Sequence, residues 1–199
     1  MADTSHEPVA LVSDGTVALR RPEPVDAPYY LRMRNNLSLV SAVMGFRLGV
    51  NEQNVKEWIS RGGVTGDEIL FTALAASERA RPIGYVKAFR FDRFARTTWV
   101  GLSVFDEQDI GKGYGGRMLT LFCRYLADQL AVRKLSLEVL AGNAPALALY
   151  SKMGFVEEGR LKAQFFADGR FHDVLILSLF VTKLRLKPTS PGGDAPLRD

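Results

Sequence analysis

The sequence predicts an α/β domain: an antiparallel meander, then one strand–helix–strand crossover, then a closing hairpin. Three observations predict it. Residues 68–77, 82–91 and 97–104 are strand-like runs separated by short polar turns, and turns that short join antiparallel neighbours. The run Ile110-Gly111-Lys112-Gly113-Tyr114-Gly115-Gly116 then opens residues 114–130, where Met118, Leu119, Phe122, Leu126 and Leu130 recur at helical spacing. Finally, Asp168-Gly169 between two apolar runs is a strong hairpin signal.

In chain order, residues 1–13 lack periodicity and read as a mobile lead-in. Val17 and Leu19 alternate with polar neighbours in a short strand that Pro22 and Pro24 stop. Asp26 is placed to cap a helix through about Val40, with Tyr30, Met33, Leu37 and Val40 on its apolar face. Residues 41–50 read as a loop. A second helix, 52–61, follows Asn51 as cap, with Trp58 toward the core and Gly62-Gly63 at its end. After the meander and the long helix, residues 135–140 form a strand, and Asn143 caps a helix through Lys152. In its first turn Pro145 lacks an N–H that the helix would not use. Gly154 ends that helix, a strand starts at Phe155, and the hairpin closes with 171–181. The tail from Pro188 is rich in Pro, Gly and Asp and is expected to be disordered. The expected organisation is a lead-in of 1–13, one domain of 14–187 and a tail of 188–199.

Composition narrows the class. The chain has 199 residues, 47% hydrophobic and 24% charged, with a net charge of +4, which suits a soluble globular domain. No apolar run approaches the ~18 residues of a membrane span. Asp3, Glu7 and the absence of a basic flank leave no signal-peptide pattern in residues 1–8. The one cysteine, Cys123, excludes an internal disulfide, reads as a core residue and suits a reducing cytoplasm. One cysteine and two histidines are a poor supply of soft ligands, so no metal site is expected. The modest charge and scattered arginines do not argue for nucleic acid.

The glycine run is the first chemical signal. Glycines let a ligand approach the backbone, and a helix start offers unpaired N–H groups and a positive dipole end, together a seat for an anion. Read literally, Gly111-x-Gly113-x-x-Gly116 satisfies a dinucleotide fingerprint, with Glu138 as the downstream acid. Yet a dinucleotide fold needs repeated strand–helix–strand units after the loop, and here a meander precedes it and a hairpin follows. A P-loop fails too, since Lys112 is followed by Gly113 instead of Ser or Thr.

A third pattern fits better. Gly113-x-Gly115 opening a helix, then Leu137-Glu138-Val139, then the segment from Asn143 through Tyr150 to Gly154-Phe155, resembles the GNAT superfamily of acetyl-CoA-dependent N-acetyltransferases. The order of elements over about residues 15–182 is similar as well. Glu158-Gly159, Gly169-Arg170-Phe171 and Asp173 resemble the subgroup that acetylates ribosomal-protein N-termini and amino sugars. The family pattern has Gln or Arg where this chain has Ile110, and Lys112 is the candidate to supply the missing charge.

The resemblance implies a mixed, mostly antiparallel sheet splayed at its two central strands, with helices on both faces. It implies that acetyl-CoA lies in the splay, its pantetheine beside Leu102, Ser103 and Val104 and its pyrophosphate on Gly111, Lys112, Gly113, Gly115 and Gly116. Asn143 would cap its helix and contact CoA. An acceptor amine with the ordinary lysine pKa is only ~0.04% neutral at pH 7, so a positioned base matters by ~10²–10⁴-fold. By resemblance Tyr150 is the acid that protonates the departing thiolate, and Glu138, twelve residues earlier, is the base. A core tyrosine, a solvated strand glutamate and a water chain as base are the alternatives.

Residues 27–51 contain Arg32, Arg34 and Arg47 and no acid, which favours an acceptor carrying an anion. Phe166, with Phe165 and Phe171, would line the acceptor mouth. The expected partner is a small-molecule amine (amino acid, amino sugar or nucleotide-sugar) or a protein N-terminus, with no nucleic acid and no membrane, in a cytoplasmic chain for which a homodimer is open. The chief rival is a GNAT-shaped module that binds acyl-CoA without turnover.

Overall fold

The computed structural model describes residues 9–45, 48–60, 68–76 and 80–184. Its elements are β1 (Val12–Ser13), β2 (Val17–Arg20), α1 (Ala27–Arg34), α2 (Leu37–Ala42), α3 (Glu52–Ser60), β3 (Ile69–Ala75), β4 (Arg81–Asp92) and β5 (Thr97–Val104). They continue with α4 (Tyr114–Leu130), β6 (Lys134–Leu140), α5 (Ala144–Met153), β7 (Val156–Ala167) and β8 (Arg170–Phe180). The strands form one sheet in the order β1-β2-β3-β4-β5-β6-β8-β7. Its pairs are antiparallel except that between β5 and β6, so the meander, the crossover and the hairpin are all present. The dinucleotide reading falls here, because it requires repeated parallel pairs.

Helices cover both faces. Met118, Leu119, Phe122 and Leu126 of α4 are fully buried against Val86, Ala88, Val100 and Leu135 in the main core. Burying side chains of this size stabilises by about 1.5–3 kcal/mol each. Cys123 lies in the same core, and burial pushes its thiol up to about 12, so it is inert packing. Leu130, expected on this stripe, is the helix's last residue and is 43% exposed. The opposite face carries a second cluster in which Tyr30, Met33, Val55 and Ile59 pack on Leu70 and Phe105. Trp58 joins it half-buried, edge-on to Tyr30 at 5.2 Å.

Three expectations are corrected. The helix expected over 26–40 is two helices. Asn36 breaks it by accepting Leu39 N–H at 3.2 Å and so capping α2, the local competition that asparagine offers a helix backbone. The break rotates Leu37 outward to 63% exposure and brings Leu39 in. Asp26 does not cap α1 with its side chain. Its buried carboxylate instead accepts both guanidinium nitrogens of Arg20 at 2.7 Å and Thr72 Oγ1 at 2.9 Å. Lastly, Val12–Ser13, expected in the lead-in, pairs with β2.

Other local signals agree with the structure. Asn51 Oδ1 accepts Asn54 N–H at 2.8 Å, and Gly154 closes α5 at φ 102°. Asp168 and Gly169, at φ 50° and 75°, make the turn between β7 and β8. Residues 1–8, Arg47, Gly62-Gly63 and the tail 188–199 lie outside the described residues.

One feature of the sheet positions the site. β5 pairs with β6 only at Thr97–Lys134, Thr98–Leu135 and Trp99–Ser136. Beyond Trp99 the β6 edge of β5 is left without a strand partner through Val104, while β6 continues to Leu140 on β8. The two central strands therefore part.

Candidate active site

The parted strands enclose a cavity of about 430 Å³. Its walls include Leu102, Ser103 and Val104 of β5, Glu138 and Val139 of β6, and Asn143, Leu149 and Tyr150 around α5, with Leu39 and residues 42–45 also lining it. Leu102 points to the helix side, where a Cβ on Gly115 would lie 3.6 Å from its Cδ1. Ser103 Oγ donates to the Val104 carbonyl at 2.9 Å.

The glycine run passes the rim and opens α4. Gly111 and Gly113 take φ of 83° and 80°, which favours glycine, and nothing lies within 4 Å of where their Cβ would be. Gly113 is the N-cap of α4, so the positive end of the helix dipole lies at this rim. Gly115 and Gly116 serve packing as well: a Cβ on Gly116 would meet Leu149 Cδ1 at 3.2 Å, so their bareness lets α5 close on α4. Ile110 lies at the cavity wall, 56% exposed. Lys112 does not reach into the cleft. Its ammonium donates to Asp109 Oδ1 at 3.0 Å, beside Arg81, which grips the same carboxylate at 2.9 and 3.0 Å. Burial pushes the Asp109 carboxyl up, but the hydrogen bonds from Arg81 and Lys112 outweigh it and hold it below the ordinary value. Lys112 thus anchors the turn.

Asn143 caps α5, its Oδ1 accepting Ala146 N–H at 3.2 Å. Its Nδ2 lies 3.5 Å from the Ala42 carbonyl at the end of α2. Two turns on, Tyr150 is 8% exposed, with its ring 5.6 Å from Phe155. No hydrogen bond to its hydroxyl occurs among the described residues. Burial, reinforced by nearby Tyr85, pushes the phenol up to about 12, so it stays protonated at neutral pH. Glu138 is exposed on β6, and it is the one carboxylate on the cavity wall among the described residues.

The other face of the sheet supplies polar groups that the sequence reading missed. Tyr85 and Lys87 of β4 stand opposite Ser103 and Gly101 of β5, and all four line the cavity. Their signal was available: in β4, Tyr85 and Lys87 alternate with the core residues Val86 and Ala88. Burial pushes Tyr85 up to about 12 as well. Of the arginines proposed for the acceptor, Arg34 lines the cavity. Arg32 does not: it is exposed, its guanidinium 5.5 Å from the Tyr29 ring centroid. Arg47 lies outside the described residues. Phe166 is also away from this cavity, exposed and packed on Phe171 at 5.0 Å. A second hollow of about 510 Å³, between α2 and the β7–β8 turn, adjoins the cavity at Ala42 and Asn143.

Known proteins agree with this architecture. A spermidine N-acetyltransferase from Vibrio cholerae, solved with CoA and spermine, superposes with a TM-score of 0.77 at 24% identity, covering 84% of this chain and 97% of that one. In sequence, an SPbeta prophage-derived uncharacterized N-acetyltransferase of Bacillus subtilis is 30% identical over 120 residues, 60% of this chain and 66% of that protein. A Vibrio cholerae spermidine N(1)-acetyltransferase is 31% identical over 101 residues, 51% and 58% of the two chains. These sequence matches span less than two thirds of the relatives' own lengths. The family model of the acetyltransferase (GNAT) domain matches residues 16–156, from the start of β2 through the glycine run and α5. Together with the parted central strands, that match places this chain in the GNAT acetyltransferase family, whose members use acetyl-CoA.

Proposed function

We propose that the chain moves the acetyl group of acetyl-CoA to the primary amine of a small molecule, such as an amino acid, amino sugar or nucleotide-sugar, or of a protein N-terminus. The observation that carries this reading is the parting of β5 from β6 after Trp99–Ser136, with Tyr150 on the wall of the gap.

The residues present fit the acetyl donor. Past Trp99, β5 offers backbone N–H and C=O groups to which β6 gives no ladder partner, and an amide-bearing pantetheine can use them. Leu102, Val139 and Leu149 supply apolar walls. The Gly111–Gly113 turn and the start of α4 suit a pyrophosphate, through backbone donors and the helix dipole. Here Ile110 supplies no charge and Lys112 is held by Asp109, so backbone groups carry that contact.

The chemistry then needs three things of this chain. Glu138, or a water it orders, takes the proton from the attacking amine. A donor must meet the developing oxyanion, and the unpaired β5 N–H groups are suited to that. Tyr150 Oη holds its proton toward the departing sulfur. With its phenol near 12 it serves as donor and not as base. The acetyl donor supplies the activated thioester.

An acceptor screen that follows thiol release tests the reading, with thermal shift by acetyl-CoA and NAD beside it. Thiol release with at least one amine, and stabilisation by acetyl-CoA, is the expected result. Acetyl-CoA binding without release for any amine would favour the non-catalytic module.

A further inference from the structure

The acceptor side of the cleft carries two cations on its wall, Arg34 and Lys87. Arg34 arrives from the last position of α1 and Lys87 from β4. Among the described residues neither makes a hydrogen bond or ion pair, and the Lys87 ammonium lies 4.7 Å from the Phe89 ring centroid. Gly101 stands opposite Lys87, and a Cβ there would lie 3.4 Å from Lys87 Cε and 3.7 Å from Cγ. The lysine stem therefore lies over Gly101 of β5, with the side chain on the cavity wall.

Two half-buried cations facing one cavity are costly unless an anion joins them. Burial holds the Lys87 ammonium below the ordinary lysine value, against the pull of Glu68, and Arg34 and Arg90 add to the lowering. Tyr85, beside them, stays protonated and is a neutral donor. The wall thus gathers donors on β4 and α1, and its carboxylate, Glu138, stands across the gap on β6. Such a split suits a molecule with an anion at one end and an amine at the other. A polyamine would instead bring further ammonium groups against like charges.

We propose that the acceptor amine carries a carboxylate or phosphate, which Arg34 and Lys87 hold while the amine faces Glu138; this rests on the acetyltransferase reading above. Arginine matches such an oxyanion bidentately and lysine adds a point charge. The chain then differs in acceptor chemistry from the polyamine enzymes it is similar to.

Calorimetry on the CoA-saturated protein tests this with product pairs that differ in the anion. One pair is N-acetylglycine and N-acetylglycinamide; the other is N-acetylglucosamine phosphate and N-acetylglucosamine; N-acetylspermidine is the polyamine arm. The anionic member of at least one pair should bind roughly 10- to 100-fold tighter than its neutral mate, the loss expected for a charge-assisted contact. Which pair separates tells carboxylate from phosphate. Arg34→Gln and Lys87→Gln should each shrink that ratio, whereas Lys56→Gln, exposed on α3 and paired with Glu52, should keep it. Equal binding within both pairs, absence of binding included, would overturn the proposal, as would tighter binding of N-acetylspermidine than of either anion. Failure of the acetyltransferase reading registers separately, as a protein that does not bind CoA or release thiol.

Discussion

Trp99 stands opposite Ser136 as the last pair of the parallel ladder, and from that pair onward the central strands diverge. On its other edge β5 stays tied to β4 as far as Gly84–Val104. The cleft is therefore built on a strand held firmly on one side and released on the other.

Gly84 secures the held side. A Cβ there would collide with the Ser103 carbonyl oxygen and lie 2.9 Å from Met118 Cε. Gly84→Ala should destabilise the fold by about 1–3 kcal/mol, the usual cost of overpacking. It should also weaken acetyl-CoA binding by displacing the end of β5. Urea midpoints and CoA titrations check both.

Asp109 gives the glycine turn a pH dependence. Its folded-state pKa is depressed, so its contribution is fully present above the ordinary carboxylate value of ~3.9. It is lost as pH falls through the lowered folded value. Asp109→Asn should cost roughly 1–3 kcal/mol at neutral pH, since charge-assisted bonds to Arg81 and Lys112 are lost. The gap between variant and wild type should narrow toward pH 3, as urea unfolding at neutral and acid pH would measure. Acetyl-CoA affinity should fall with it at neutral pH.

Glu138→Gln should lower kcat by ~10²- to 10⁴-fold at saturating substrates, the range for a lost general base. Acetyl-CoA affinity should be little changed, because Glu138 is exposed on β6 and alternates with the core residues Leu137 and Val139. Single-turnover rates separate the two effects. An unchanged kcat would assign the proton to a water chain.

Much of this was legible in the sequence, for identifiable physical reasons. The bounds of α4 follow from a glycine run before a helical stripe, and those of β5 from its flanking turns. Asn143 and Gly154 marked both ends of α5. The break between α1 and α2 was missed because the apolar spacing runs through it, while the capping side chain of Asn36 decides against a continuous helix. That Arg34 lines the cavity and Arg32 does not follows from helix geometry, where residues two apart point about 200° apart. A pair of arginines read off the sequence could not both serve. Lys87 was overlooked since its role depends on Gly101 one strand over, a relation visible only in the register of the ladder. Lys112 is a candidate in the sequence to offer charge to the cofactor, but its side chain pairs with Asp109, and the half-buried Arg81–Asp109 contact is long-range.

Tyr150 decides whether the gap between β5 and β6 is a site of acetyl transfer or of binding alone. The most direct measurement is kcat of Tyr150→Phe together with its acetyl-CoA dissociation constant. The ring's packing on Phe155 survives that change, so the fold and the cofactor seat should persist. With Tyr150 as the acid, kcat should fall by ~10²- to 10⁴-fold with the dissociation constant unchanged. Full turnover in Tyr150→Phe would contradict it.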